Sequence, residues 1–108
     1  MKKSLALAVG AATLIVGSAV AMQKRGDAAK GKEVFEQCSV CHNATTDQKK
    51  MGPSLKGLFK KAKMGNGMKP TEENVLNFIS KGKGSMPAFA NVLSAAEKAD
   101  LIAYLKTL

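Results

Sequence analysis

Both cysteines of this 108-residue chain and its only histidine fall within five consecutive residues, Cys38-Ser39-Val40-Cys41-His42. A C-x-x-C-H run is the attachment pattern of c-type haem: two thiols add across the porphyrin vinyl groups, and the adjacent imidazole ligates iron. The two-residue spacing lets both sulfurs reach one edge of the ring, and the next residue turns its imidazole under the metal. Two other uses of paired cysteines fit less well. A redox C-x-x-C sits at a strand-to-helix junction of a βαβ pattern, and no segment here alternates like a strand. A structural zinc site takes four ligands, and this chain has only two cysteines and one histidine.

The N-terminus has the form of an export signal. Lys2 and Lys3 make a basic start, an uncharged run follows from Ser4 through Gln23, and Ala19-Val20-Ala21 meets the small-residue rule for cleavage. Cleavage after Ala21 leaves a domain of residues 22–108. The alternative is a retained membrane anchor: the run has the length to cross a bilayer, although Gly10, Gly17 and Ser18 dilute it. Loss of Lys2 and Lys3 lowers the formal charge from +9 by two, to +7. A domain this small buries only about two-thirds of its unfolded surface and is marginal without a staple. A covalent porphyrin is such a staple, and 5% aromatic residues with no Trp fit a core built partly from a cofactor.

The remaining pattern is helical. Asp27 is an N-cap candidate ahead of Ala28-Ala29-Lys30. Gly31, Val34, Phe35 and Cys38 recur at i, i+3, i+4 and i+7, so one helical face runs into the cysteine motif. A glycine on that face makes sense where a second helix crosses closely. From Asn43 to Pro70 no periodicity is sustained; Gly52-Pro53, Gly57, Gly65 and Gly67 break the chain, with a short helical turn expected around Leu55–Lys61. A loop this long in a small domain is normally wrapped around something. Thr71-Glu72-Glu73 opens another helix with Val75, Leu76 and Ile79 inward, and Lys81-Gly82 closes it. Ser94-Ala95-Ala96-Glu97 reads as a capping box before a terminal helix presenting Leu101, Ile102, Leu105 and Leu108. The expected class is all-α, with three to five short helices around one haem.

An electron-transfer haem needs a second axial ligand opposite His42. With histidine exhausted, a methionine thioether is the natural candidate, a soft ligand that favours ferrous iron. Of six methionines, Met86 stands out: Gly82-Lys83-Gly84-Ser85 before it brings backbone close to a porphyrin face, and Pro87 holds it extended. Met64 and Met68 are the alternatives.

The chain resembles the class I cytochromes c, of the small monohaem bacterial type, over residues 26–108. Gly26-Asp27-Ala28-Ala29-Lys30-Gly31-Lys32-Glu33-Val34-Phe35 is similar to the family's first helix. Lys83-Gly84-Ser85-Met86-Pro87-Ala88-Phe89 is similar to its distal-ligand loop, and Ala99-Asp100-Leu101-Ile102-Ala103-Tyr104-Leu105-Lys106 to its last helix. The resemblance implies that Gly31, Phe35, Leu101 and Tyr104 meet where those helices cross. It implies one haem c bound through Cys38 and Cys41, with His42 and Met86 on iron. It also implies that the Pro53 carbonyl, in Gly52-Pro53-Ser54-Leu55, accepts a hydrogen bond from the imidazole. Haem attachment in the family takes place outside the cytoplasm. Two departures are a much shorter chain between haem motif and distal methionine than in mitochondrial members, and the lack of the Trp that contacts a propionate in larger relatives.

With both axial positions filled, iron has no open site for substrate, so the expected role is a one-electron carrier rather than an enzyme. A haem peroxidase needs an open distal site and an acid–base group, and a gas sensor needs a labile Met86. Lys49, Lys50, Lys56, Lys60, Lys61, Lys63 and Lys69 occur with no acidic residue among them. Such a run steers a protein toward acidic redox partners, a donor and an acceptor such as a reductase or an oxidase. No nucleic-acid motif accompanies the charge. The expectation is an exported, periplasmic monomer in respiratory or photosynthetic electron transport, or, with residues 1–21 retained, a membrane-anchored cytochrome or oxidase subunit.

Overall fold

The computed structural model describes residues 26–108. The expected signal segment and its cleavage point lie outside them. Among the described residues three α-helices form, α1 (Ala28–Phe35), α2 (Glu72–Lys81) and α3 (Ala95–Leu105), with a 3₁₀ turn at Leu58–Lys60. No strand forms among the described residues; a single antiparallel bridge joins Lys83 to Met86. The all-α expectation holds.

Each helix starts where the side chains can satisfy its orphan N–H groups. Asp27 accepts from the Ala29 and Lys30 amides at 2.9 and 3.3 Å, and the Thr71 hydroxyl accepts from Asn74 at 3.1 Å. Ser94 and Glu97 complete the capping box reciprocally, at 3.1 and 3.0 Å. Glu72 and Glu73 in the first turn of α2 complement its dipole. Two helices stop earlier than their apolar pattern suggests. In α1 the Glu36 amide bonds back three residues to Glu33, ending the regular ladder before Cys38. In α3 the last turn tightens after Leu105, and Leu108 lies beyond it, its carbonyl accepting from the Gly57 amide at 2.9 Å.

The fold closes where α1 crosses α3. Phe35 packs against Tyr104 with ring centres 5.4 Å apart and ring planes tilted by 53°, and the Asp27 amide donates to the Asp100 carboxylate at 2.8 Å. Among the described residues eight apolar side chains are buried: Phe35, Leu58, Val75, Ile79, Leu93, Leu101, Ile102 and Leu105. Leu76 and Leu108 only lean on this cluster. Leu93 carries no periodic signal, because it stands alone before the Ser94 cap. Six of the eight, all but Leu93 and Ile102, also line one large cavity. The core is therefore a wall around that cavity.

Candidate haem site

Phe35 at the end of α1 starts a chain of short-range bonds that shapes the cysteine motif. Its carbonyl accepts from the Cys38 and Ser39 amides at 2.8 and 2.9 Å, and the Cys38 carbonyl accepts from Cys41 and His42 at 3.1 and 3.0 Å. Cys38 to His42 thus form their own turn rather than the continuation of α1 that the i+7 spacing suggests. Lys50 Nζ pins this turn from outside, donating to the Ser39 carbonyl at 2.9 Å. Cys38 and Cys41 form no disulfide with each other, and both are half-buried. Burial pushes the Cys38 thiol up from its ordinary range, and the neighbouring Cys41 adds to the effect.

The His42 ring is held from one side. Its Nδ1 lies 2.7 Å from the Pro53 carbonyl oxygen. A carbonyl can only accept, so Nδ1 carries the proton and Nε2 keeps the lone pair a metal requires. Gly52 packs flat on the same ring: a β-carbon there would fall 2.4 Å from Cε1 and 2.8 Å from Nδ1. The Gly52 amide also donates to the Cys41 carbonyl at 2.8 Å, tying the two segments together. The sequence marks this segment for its turn and, by resemblance, for the Pro53 carbonyl, whereas the close approach of Gly52 itself to the ring carries no mark there.

Met86 sits in a tight turn. The Lys83 amide donates to the Met86 carbonyl and the Met86 amide to the Lys83 carbonyl, at 3.1 and 3.0 Å. Gly82 and Gly84 take positive φ of 67° and 61° around it, a conformation that costs other residues energy. Phe89 and Ala90 then donate to the Ile79 and Ser80 carbonyls at 3.0 and 3.2 Å, fastening the segment to the end of α2.

The Cys38-to-His42 turn, Pro53 and Met86, from three separate segments, all line the same cavity of about 870 Å³. Its other walls are mostly apolar, including Leu55, Phe78 and Phe89. Of the other methionines considered as ligands, Met64 lines it too, whereas Met68 faces a smaller neighbouring depression. Met51, which nothing in the sequence singles out, places Sδ 3.9 Å from Cys41 Sγ. Volume, apolar lining, paired thiols and an imidazole with Nε2 free fit a porphyrin with its iron.

Comparisons with known proteins agree. Residues 26–105 match the family described as cytochrome c oxidase, cbb3-type, subunit III. Cytochrome c2 of Blastochloris viridis is 35% identical over 109 aligned positions, covering 85% of this chain and 86% of the relative. Cytochrome c6 of a Picosynechococcus species is 34% identical, covering 97% and 92%. The crystal structure of cytochrome c6 from the diatom Phaeodactylum tricornutum superposes with a TM-score of 0.61 at 28% identity, over 76% of this chain and 93% of that one. With its C-x-x-C-H turn set into an all-α wall, this chain belongs to the class I monohaem cytochromes c of electron transport, with haem c carried on Cys38 and Cys41.

Proposed function

We propose that this cytochrome is an exported one-electron carrier whose iron is held between His42 Nε2 and Met86 Sδ. The observation that carries the reading is the convergence of His42, fixed in its tautomer by Pro53, and the pinned Met86 turn on one apolar cavity. Bound there, haem c supplies a one-electron Fe(III)/Fe(II) couple. The protein's part is to orient the imidazole, present the thioether and keep water from the remaining faces. Val40 and Met51 line the cavity yet are 76% and 71% exposed, so it reaches the surface beside the cysteines. Electron exchange takes place at that edge. The lysine run of residues 49–69 steers acidic donor and acceptor proteins toward it.

Among the described residues no helix is long and apolar enough to cross a membrane. The matched family's description as an oxidase subunit favours one other reading, an anchored subunit that retains residues 1–21.

Expression of the full chain in an exporting, haem-maturating host tests both. The carrier reading expects colour in the soluble periplasmic fraction, low-spin spectra in both oxidation states, and a sulfur–iron charge-transfer band in the oxidised form. Colour that stays with the membrane until detergent is added selects the anchored subunit. Robust turnover of added peroxide by the native protein, or carbon monoxide binding at neutral pH, overturns the six-coordinate carrier.

A further inference from the structure

Four methionines fall among the described residues, and the structure gives their thioethers different surroundings. Met64 and Met86 are half-buried in the cavity wall. Met68 is 50% exposed and faces the smaller depression beside α2. Of the four, Met51 alone both lines the cavity and stands 71% exposed. Its Sδ lies 3.9 Å from Cys41 Sγ, so the most exposed of these thioethers sits on the sulfur edge where the cavity reaches the surface.

A clamped backbone presents this side chain. The Lys50 amide donates to the Gly52 carbonyl at 3.1 Å, and the Gly52 amide to the Cys41 carbonyl at 2.8 Å. Lys50 Nζ adds its bond to the Ser39 carbonyl at 2.9 Å. The Met51 backbone is thereby held beside the cysteine turn, and its sulfur is offered to solvent there. An exposed thioether is open to oxidation, which turns an apolar side chain into a polar one and is enzymatically reversible.

We propose that Met51 is a reversible oxidation site through which hydroperoxides slow electron exchange at this edge. The sulfur attacks the terminal oxygen of hydrogen peroxide or an alkyl hydroperoxide. An S–O bond forms as the O–O bond breaks: the sulfur is oxidised by two electrons and the peroxide reduced. The proton on the transferred oxygen passes to the departing hydroxide or alkoxide, which leaves as water or alcohol. A redox partner that docks on the thioether excludes water from the edge. Docked on the sulfoxide, it strands a polar oxygen without a donor or keeps water between the two proteins. Iron ligation is untouched, so potential and spin state stay as they were. The proposal rests on the reading of the Val40 and Met51 edge as the place of electron exchange.

The test uses mature haem-loaded protein. Self-exchange between its ferric and ferrous forms, read from NMR line broadening at high ionic strength, probes the edge. Val40→Gln is expected to slow self-exchange with no peroxide present; an unchanged rate sinks the edge reading itself, whatever happens at Met51. Hydrogen peroxide is then added to the wild type in graded amounts and the excess removed. Peptide mass mapping is expected to find Met51 oxidised ahead of Met64 and Met86. Self-exchange should be about tenfold slower, as a polar group stranded at an interface would make it. The sulfur–iron band and the potential should stay in place, and methionine sulfoxide reductases for both epimers should restore the rate. Each variant is compared with its own untreated form. Met51→Leu should lose the peroxide effect, whereas Met68→Leu, which also removes an exposed thioether, should keep it. Slowing that comes with loss of the sulfur–iron band moves the target to the axial ligand and overturns the proposal. So does a Met51 that stays unoxidised, an oxidised Met51 with an unaltered rate, a rate the reductases do not restore, or an equal peroxide effect in Met51→Leu.

Discussion

Gly31 of α1 lies against the Asp100 carbonyl of α3 so closely that a β-carbon on Gly31 would stand 1.9 Å from that oxygen and 2.7 Å from the Tyr104 β-carbon. Backbone, not a flexible side chain, is the obstacle. Gly31→Val is expected to force the helices apart and destabilise the haem-loaded protein by about 1–3 kcal/mol, as overpacking does. Denaturant unfolding measures it, and an unchanged midpoint would refute close approach here. Even Gly31→Ala should destabilise, although alanine is the better helix former by about 1 kcal/mol.

Gly52 is the corresponding test of the His42 ring. A methyl group 2.4 Å from Cε1 must push the imidazole or the 51–53 segment aside, lengthening the bond to Pro53. Gly52→Ala is expected to lower stability by about 1–3 kcal/mol and to shift the visible spectrum through a changed imidazole orientation. Gly65→Ala is the control, because nothing lies within 4 Å of that site. Its expected effect is neutral to slightly stabilising. Identical spectra in the two variants would show that Gly52 does not set the ring.

Met86→Ala is expected to remove the sulfur–iron band, raise the high-spin fraction and add some peroxidase activity by opening a coordination position. Met86→His should stay low spin at a lower potential, since nitrogen favours ferric iron more than sulfur does. Met68→Ala, outside the cavity, should change neither, and Met64→Ala should leave the band although it lines the cavity. Retention of the band in Met86→Ala and its loss in Met64→Ala would transfer the ligand role.

Two surface interactions should differ in worth. Ser94→Ala breaks a reciprocal cap on α3 and is expected to cost about 1 kcal/mol. The ion pair between Lys106 and Glu72, at 2.6 Å, joins side chains 47% and 63% exposed. Lys106→Ala should therefore cost well under about 1 kcal/mol, because water and salt screen such pairs. Thermal unfolding of both variants in parallel decides the order.

Local chemistry makes much of the fold legible in the chain itself. Asp27, Thr71 and the Ser94/Glu97 box announce three helix starts, since a cap is a bond between a side chain and a backbone two or three residues away. The Cys38, Cys41 and His42 constellation is equally local. Helix ends are less legible, because the tightening at Glu36 and beyond Leu105 depends on what the chain must do next rather than on apolar period.

What the sequence determined by itself is the cofactor class and the helical composition, because both rest on spacings of a few residues. Only the tertiary structure decided which groups share the cavity. It separated Met64 and Met86 from Met68, and Lys61 and Lys63 from five neighbouring lysines of the same run. It also revealed Gly52 as the floor beneath His42 rather than a mere turn. The physical reason is that a cavity wall is assembled from segments far apart in the chain. Facing inward is settled by packing of α1 on α3 and by loop closure between them, and neither leaves a periodic mark on the residues concerned.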